Sequence, residues 1–357
     1  MQVYLSASAR GCEQDEEKGH CCQPDARHCT NRRERSSPFE SITTSAPSSM
    51  TAVFFASHEL TPVDALILQH TSHDILHSIS DATVTLLLFD AAHKGPMLAT
   101  ASGSGMQTCV WGEDAIRSHF PRLWAAAAAR ATVHRNFTGV HDASFYRRFD
   151  WFHASLSVWY TQIGRTVLPA VQWFWRLELD VLFAAPLDAL IRKSAGDPAD
   201  VLLPDFQAHN DTAAWPFWEA NRHLWEHAVV PRRHAMVSIG RYSRRFVLTL
   251  MQRHWEAGLA GFEEILLPMA CANASSGCVL THFNARTSVS SAKFRYRPPW
   301  RCAEYVAARR RRTYEIWHPV KTRDCVASFL EATQGNRTLE WQYRTPGCSY
   351  HWCRTKS

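Results

Sequence analysis

The sequence predicts one α/β domain with a mostly parallel central sheet. Three observations point there. Residues 52–56 form a continuous apolar run, as a strand buried on both faces requires. From Pro62 to residue 79 the apolar positions, Leu66, Leu68, Ile75 and Ile79 among them, fall at helical spacing. Residues 82–89 are a second β-like run that closes on Asp90. Strand, helix and strand in that order make a βαβ unit, and continued alternation downstream argues for a mostly parallel sheet.

The remaining elements follow in order. Ser57 and its two successors read as a loop after the first strand. Residues 113–131 read as a helix with an Ala-rich end, and 153–167 as another. Residues 171–183 hold the central strand and its approach, 199–204 a further short strand, and 231–239 an extended segment. A helix over 243–257 opens on Ser243 as its cap. Residues 263–271 are the next helix. Beyond Cys302 the chain reads as loop-rich and basic. Residues 1–49 mix charge, Ser, Pro and Cys without periodicity and read as a disordered leader. The folded domain is expected over 50–322, with a Cys-containing tail over 323–357, and no internal repeat is visible.

A hydrophobic content of 46% with 20% charged residues fits a globular domain rather than a disordered chain. The net charge is +6, and much of the excess sits in Arg309–Arg312. No aromatics interleave that run and no nucleic-acid fold pattern surrounds it, so it reads as a solvated loop, and nucleic acid is not an expected partner.

Of the 11 cysteines, none forms a CxxC pair, and no zinc spacing is present. Cys271, Cys278, Cys302, Cys325, Cys348 and Cys353 cluster late in loop-like sequence, which favours disulfides in an oxidising lumen. Cys271 and Cys278 bracket Ala-Asn-Ala-Ser-Ser-Gly and are expected to pair. N-glycosylation sequons begin at Asn136, Asn210, Asn273 and Asn336. A luminal protein held at its membrane would also carry a signal anchor of roughly 20 apolar residues. Residues 1–48 contain no such run, so either the sequence starts short of an anchor or the protein is not luminal. Membrane association is compatible with the chain, but no anchor is seen in it.

The segment Trp173-Phe-Trp-Arg-Leu-Glu-Leu-Asp-Val-Leu-Phe183 carries the most chemical information. Residues two apart on a strand face the same side, so Glu178 and Asp180 are expected to point together from the strand's end. Paired carboxylates in an apolar setting require a cation, or one of them holds a proton. Oxygen ligands there suit Mg²⁺ or Mn²⁺ carrying a diphosphate. The competing reading is structural, with Glu178 paired to Arg176 and Asp180 capping a turn.

The segment resembles the W-x-x-E-x-D-V/I-x-F/Y motif of an uncharacterised fungal and algal family of GT-A glycosyltransferase-like proteins. Further matches follow in order: Arg241-Tyr-Ser243 to R-x-S, Gly261-Phe-Glu-Glu-Ile-Leu-Leu-Pro268 to G-x-x-E-x-x-x-P, and Trp317-His-Pro-Val-Lys321 to a terminal H-P-x-K. The resemblance covers about residues 52–322. It implies a GT-A-like nucleotide-diphospho-sugar transferase fold, in a Golgi or other secretory-pathway lumen. It also implies a metal-assisted glycosyltransferase that moves a sugar from a nucleotide-diphosphate donor to a hydroxyl of a glycan or glycoprotein acceptor.

The resemblance distributes roles. Glu178, Asp180 and His318 would hold Mn²⁺ or Mg²⁺. Lys321 would contact the diphosphate, and Ser57 and Asp90 the nucleotide. Glu264, or Glu263 beside it, would be the acceptor-side base. Trp215 and Trp218 are candidates for an acceptor platform. Bland readings stand beside these: His318 closes a loop before Pro319, and Glu264 complements a helix dipole. The alternative at the level of function is a catalytically inactive GT-A-like protein that binds glycans or serves as a scaffold.

Overall fold

The computed structural model describes residues 50–57, 60, 62–80, 82–89, 107–111, 113–138, 150–204, 207–208, 217–226, 228, 230–273, 275, 277–295 and 298–320. It is mixed α/β, with a mostly parallel central sheet. Five of the sheet's strands are β1 (Thr51–Ser57), β2 (Ala82–Phe89), β3 (Gln107–Trp111), β4 (Trp173–Glu178) and β6 (Val201–Leu203). β9 (Ile239–Ser243) and β10 (Leu280–His282) complete it, while β5 (Leu182–Phe183), β7 (Gln207–Ala208), β8 (Arg233–His234) and β11 (Ser290–Phe294) belong to smaller sheets. The order across the sheet is β10-β6-β9-β4-β1-β2-β3. β9 alone runs antiparallel to both its neighbours, β4 and β6. The other pairings are parallel.

Alternation along β1 explains how the sheet is held. Phe54 and Ala56 join one apolar cluster, with Phe174, Trp159 and Tyr242. Val53 and Phe55 join the other, with Trp175, Leu177 and Ile239. Both faces are therefore dry, which is why the strand reads as an unbroken apolar run. Helix Pro62–Ser78 covers the second face through Leu68 and Ile75. The first face is covered by helical turns from residues 113–138, 154–167 and 246–272.

Several expectations need correction. The helix expected over 113–131 is two helices, Glu113–His119 and Pro121–Thr138. Pro121 has no N–H to continue the first and suits the start of the second. The segment 153–167 is α-helical at Ala154–Trp159 and π-helical at Tyr160–Gly164. Ser243 ends β9 and also caps the following turn, accepting a hydrogen bond from the Phe246 N–H at 3.0 Å. That helical segment is π-helical over Phe246–Met251 before becoming regular at Gln252–Ala257.

The basic region after Cys302 is helix Cys302–Arg311, followed by strand β12 (Glu315–His318). Arg309, Arg310 and Arg311 occupy the helix's last turn, where cations complement its dipole, and Arg312 follows as the C-cap. Arg309 donates to the Phe183 carbonyl at 3.2 Å. The tail over 323–357 lies outside the described residues, as does the leader over 1–49.

A candidate metal centre at the end of strand β4

The expected long central strand stops at Glu178. The Val181 N–H bonds back to the Glu178 carbonyl at 3.2 Å, which makes a turn of Leu179 and Asp180. The chain then enters β5 (Leu182–Phe183), in a separate three-stranded sheet ordered β11-β12-β5. β11 is Ser290–Phe294. β12 pairs antiparallel with β5, setting Trp317 against Leu182. This small sheet carries His318 to the turn. The Val320 N–H fixes the register by donating to the Asp180 carbonyl at 3.0 Å.

Glu178, Asp180 and His318 converge, each offering a ligand atom within 4.8 Å of the others. His318 Nε2 stands 3.6 Å from Asp180 Oδ1. The other ring nitrogen, Nδ1, lies 2.8 Å from the Arg295 carbonyl oxygen. A carbonyl only accepts, so Nδ1 carries a hydrogen. In the neutral ring this leaves the Nε2 lone pair facing the carboxylates. Metal-binding histidines are commonly oriented in this way. The ring also stacks on Phe294, with centroids 4.7 Å apart. The donor set, two carboxylates and one imidazole, suits a divalent cation such as Mn²⁺ or Mg²⁺.

Arg176 stands behind the triad. Side chains at 174, 176 and 178 share one face of β4, because the strand alternates. The Arg176 guanidinium is fully buried, donates to the Val237 carbonyl at 3.1 Å, and comes within 3.5 Å of Glu178 Oε1. The Arg176–Glu178 pair weighed as a structural reading is thus present. It coexists with the triad, since Glu178 remains about one-third exposed on the other side.

The remaining candidates fall in different places. Ala56 of β1 pairs with Glu178, so Ser57 lies at the same carboxyl edge of the sheet. Asp90, Lys321 and Trp215 lie outside the described residues. Trp218 is buried against Trp225 and His234, a core position that cannot serve as an open platform.

Glu263 and Glu264 open helix Glu263–Ala272, and both are buried. Glu263 turns inward: its carboxyl lies 2.5 Å from His153 Nδ1 and accepts from the His153 backbone N–H. His153 Nε2 is 2.9 Å from the Tyr242 hydroxyl. Burial pushes the Glu263 carboxyl up to about 8, against the pull of Arg176. Burial also holds His153 well below the usual imidazole range, with Arg176 adding to the effect. At neutral pH Glu263 therefore keeps its proton and donates it to Nδ1, while Nε2–H donates to Tyr242. The sequence carried no local sign of His153 or Tyr242 as partners, because the three residues meet only through tertiary packing.

Neither a protein-family model nor a curated protein matches the chain. Among solved structures, the chain is similar to core-mannan synthase A from Aspergillus fumigatus in its Mn/GDP form, with 10% identity and a TM-score of 0.39, covering 84% of this chain and 92% of that one. It is similar to mouse xyloside xylosyltransferase 1 in its apo form, with 10% identity and a TM-score of 0.36, over 65% of this chain and 84% of the other. It is also similar to the galactosyltransferase LgtC with donor and acceptor sugar analogs, with 14% identity and a TM-score of 0.35, over 82% of this chain and 99% of that one.

Proposed function

We propose that this chain is a metal-assisted glycosyltransferase of GT-A type, moving a sugar from a nucleotide-diphosphate donor to a hydroxyl of a glycan or glycoprotein. The observation that carries the reading is the convergence of Glu178, Asp180 and His318, with His318 Nδ1 engaged by a carbonyl and Nε2 left facing the carboxylates. The centre sits at the carboxyl end of a strand in an open α/β sheet, where ligands of such sheets gather.

Glu178 and Asp180 would supply oxygen ligands and His318 a nitrogen to Mn²⁺ or Mg²⁺. The ion, when bound, neutralises charge on the departing diphosphate. Arg176 holds the Glu178 carboxylate from behind. Ser57, on the same edge, and Asp90 would contact the nucleotide, and Lys321 the diphosphate as a point charge. Glu264 would accept the acceptor hydroxyl's proton. Glu263, bonded to His153, is the alternative acid. The proposed location is a Golgi or other secretory-pathway lumen, in keeping with the Cys271–Cys278 disulfide. Among the described residues no helix is long and apolar enough to cross a membrane.

The test is release of nucleoside diphosphate from a panel of nucleotide sugars, with Mn²⁺ and after chelation. The reading expects at least one donor to be hydrolysed or transferred only with metal present. Metal-independent behaviour across the panel, with tight glycan binding, would replace it with the inactive glycan-binding alternative.

A further inference from the structure

Helix Glu263–Ala272 ends at a sequon. Asn273 follows its last residue, with its backbone N–H bonded to the Met269 carbonyl at 2.9 Å and its side chain exposed. Ser275, the sequon's hydroxyl residue, is also exposed. Both sit in the loop closed by the Cys271–Cys278 disulfide, whose Cα atoms are 5.2 Å apart. Both also line a cleft of about 350 Å³. Leu224, Leu250, Leu259 and Met269 contribute its apolar wall, while Arg253 and His254 add polar groups.

We propose that Asn273 is an N-glycosylation site, and that the first sugars of its glycan lie in this cleft. The Asn273 amide has no hydrogen-bond partner among the described residues, so modification breaks no contact of the fold. The cleft suits a pyranose. Its leucines and Met269 would cover a sugar's C–H face, while Arg253 and His254 would meet hydroxyl and acetamido oxygens as donors. Covalent position fixes the occupant, since the residue that would carry the glycan is itself part of the cleft lining.

The modification balances simply. The Asn273 side-chain nitrogen bonds to the anomeric carbon of a polyprenyl-diphosphate-linked oligosaccharide. The bond from that carbon to the diphosphate oxygen breaks, the lipid diphosphate leaves with the electron pair, and the amide gives up one proton. This inference rests on the disulfide, exposure and cleft. It shares the luminal location proposed above but requires no glycosyltransferase activity of this chain.

The full chain, routed through the secretory pathway of a eukaryotic cell behind a cleavable signal peptide, provides the test. Peptide mapping after peptide N-glycosidase should find Asn273 converted to Asp. N273Q and S275A should each lose one glycan by gel mobility. Hydrogen exchange should be slower over Gln252–Ala257 in the glycosylated protein than in N273Q or S275A, whichever is secreted. An unmodified Asn273 in secreted chains that carry the Cys271–Cys278 disulfide would overturn the site. Equal exchange in glycosylated and unglycosylated chains would overturn the seat in the cleft.

Discussion

The buried Glu263–His153 pair makes stability depend on pH in a definite direction. Both groups are buried, and the pair holds one proton between them over a wide range. Glu263 has its folded pKa raised by burial from 4.5 to about 8. A carboxyl raised in this way binds more protons folded than unfolded between those values, so its contribution falls as pH rises through that window. Each tenfold separation of folded and unfolded midpoints is worth about 1.4 kcal/mol, so the full arm is on the order of 5 kcal/mol. Roughly 2 kcal/mol of that is lost between about pH 6 and about pH 8. His153 has the opposite sign. Its folded pKa is depressed, so its contribution is complete above the unfolded imidazole value of 6.5 and falls as pH drops below it. Chemical denaturation across this range should therefore show maximal stability on the mildly acidic side and a decline toward alkaline pH. Glu263→Gln keeps an acceptor for the His153 backbone N–H and removes the titrating proton. It should flatten the alkaline decline to within about 0.5 kcal/mol. An unchanged decline in the variant would refute the assignment of that proton to Glu263.

Other sites give simpler expectations. Arg241 is buried and donates to the carbonyls of Ser194, Asp197 and Ala199 while pairing with Asp197 at 3.5 Å. Arg241→Met strands the buried Asp197 and should cost about 3–5 kcal/mol by urea denaturation; Arg241→Lys should recover little, because one ammonium cannot reproduce the guanidinium fork. Replacing Cys271 and Cys278 together by Ser opens a short loop, with sequence separation 7, and should cost about 2–3 kcal/mol by the same measurement.

Much of the fold was legible because its signals are local. The apolar runs of β1 and β2 and the spacing of helix Pro62–Ser78 announce themselves, since both sheet faces are buried. The disulfide was legible for the same reason, its cysteines being only seven positions apart in the sequence. The break at Pro121 was also written in the sequence, but the Ala-rich run beyond it obscured the boundary. Short strands were lost. β9 is an antiparallel intruder whose Gly240 and Arg241 do not read as strand, and only pairing with β4 and β6 defines it. The arginine run was misread because charge alone does not separate a loop from a helix terminus. At the site, Glu178 and Asp180 were visible as a pair. That Asp180 sits in a turn rather than on the strand depends on the partnership of β5 with β12, which no local pattern encodes. His318 came from resemblance, whereas the Arg295 carbonyl that sets its tautomer had no signal in the sequence.

The central claim is that Glu178, Asp180 and His318 form a metal-dependent donor site and not a structural cluster. The measurement that tests it most directly is the melting temperature of the wild type and of Asp180→Asn, each with and without Mn²⁺ plus a nucleotide sugar. Ligands that bind only the folded state stabilise it by mass action, by about 2.7 kcal/mol at a hundred times the dissociation constant. The account predicts that the wild type gains stability only when metal and donor are both present. Asp180→Asn should match or slightly exceed the wild type without ligands, because it removes one of two neighbouring carboxylates, and should gain nothing from donor. A variant already destabilised by about 3 kcal/mol or more without ligand, or one that gains as much from Mn²⁺ and donor as the wild type, would contradict the account.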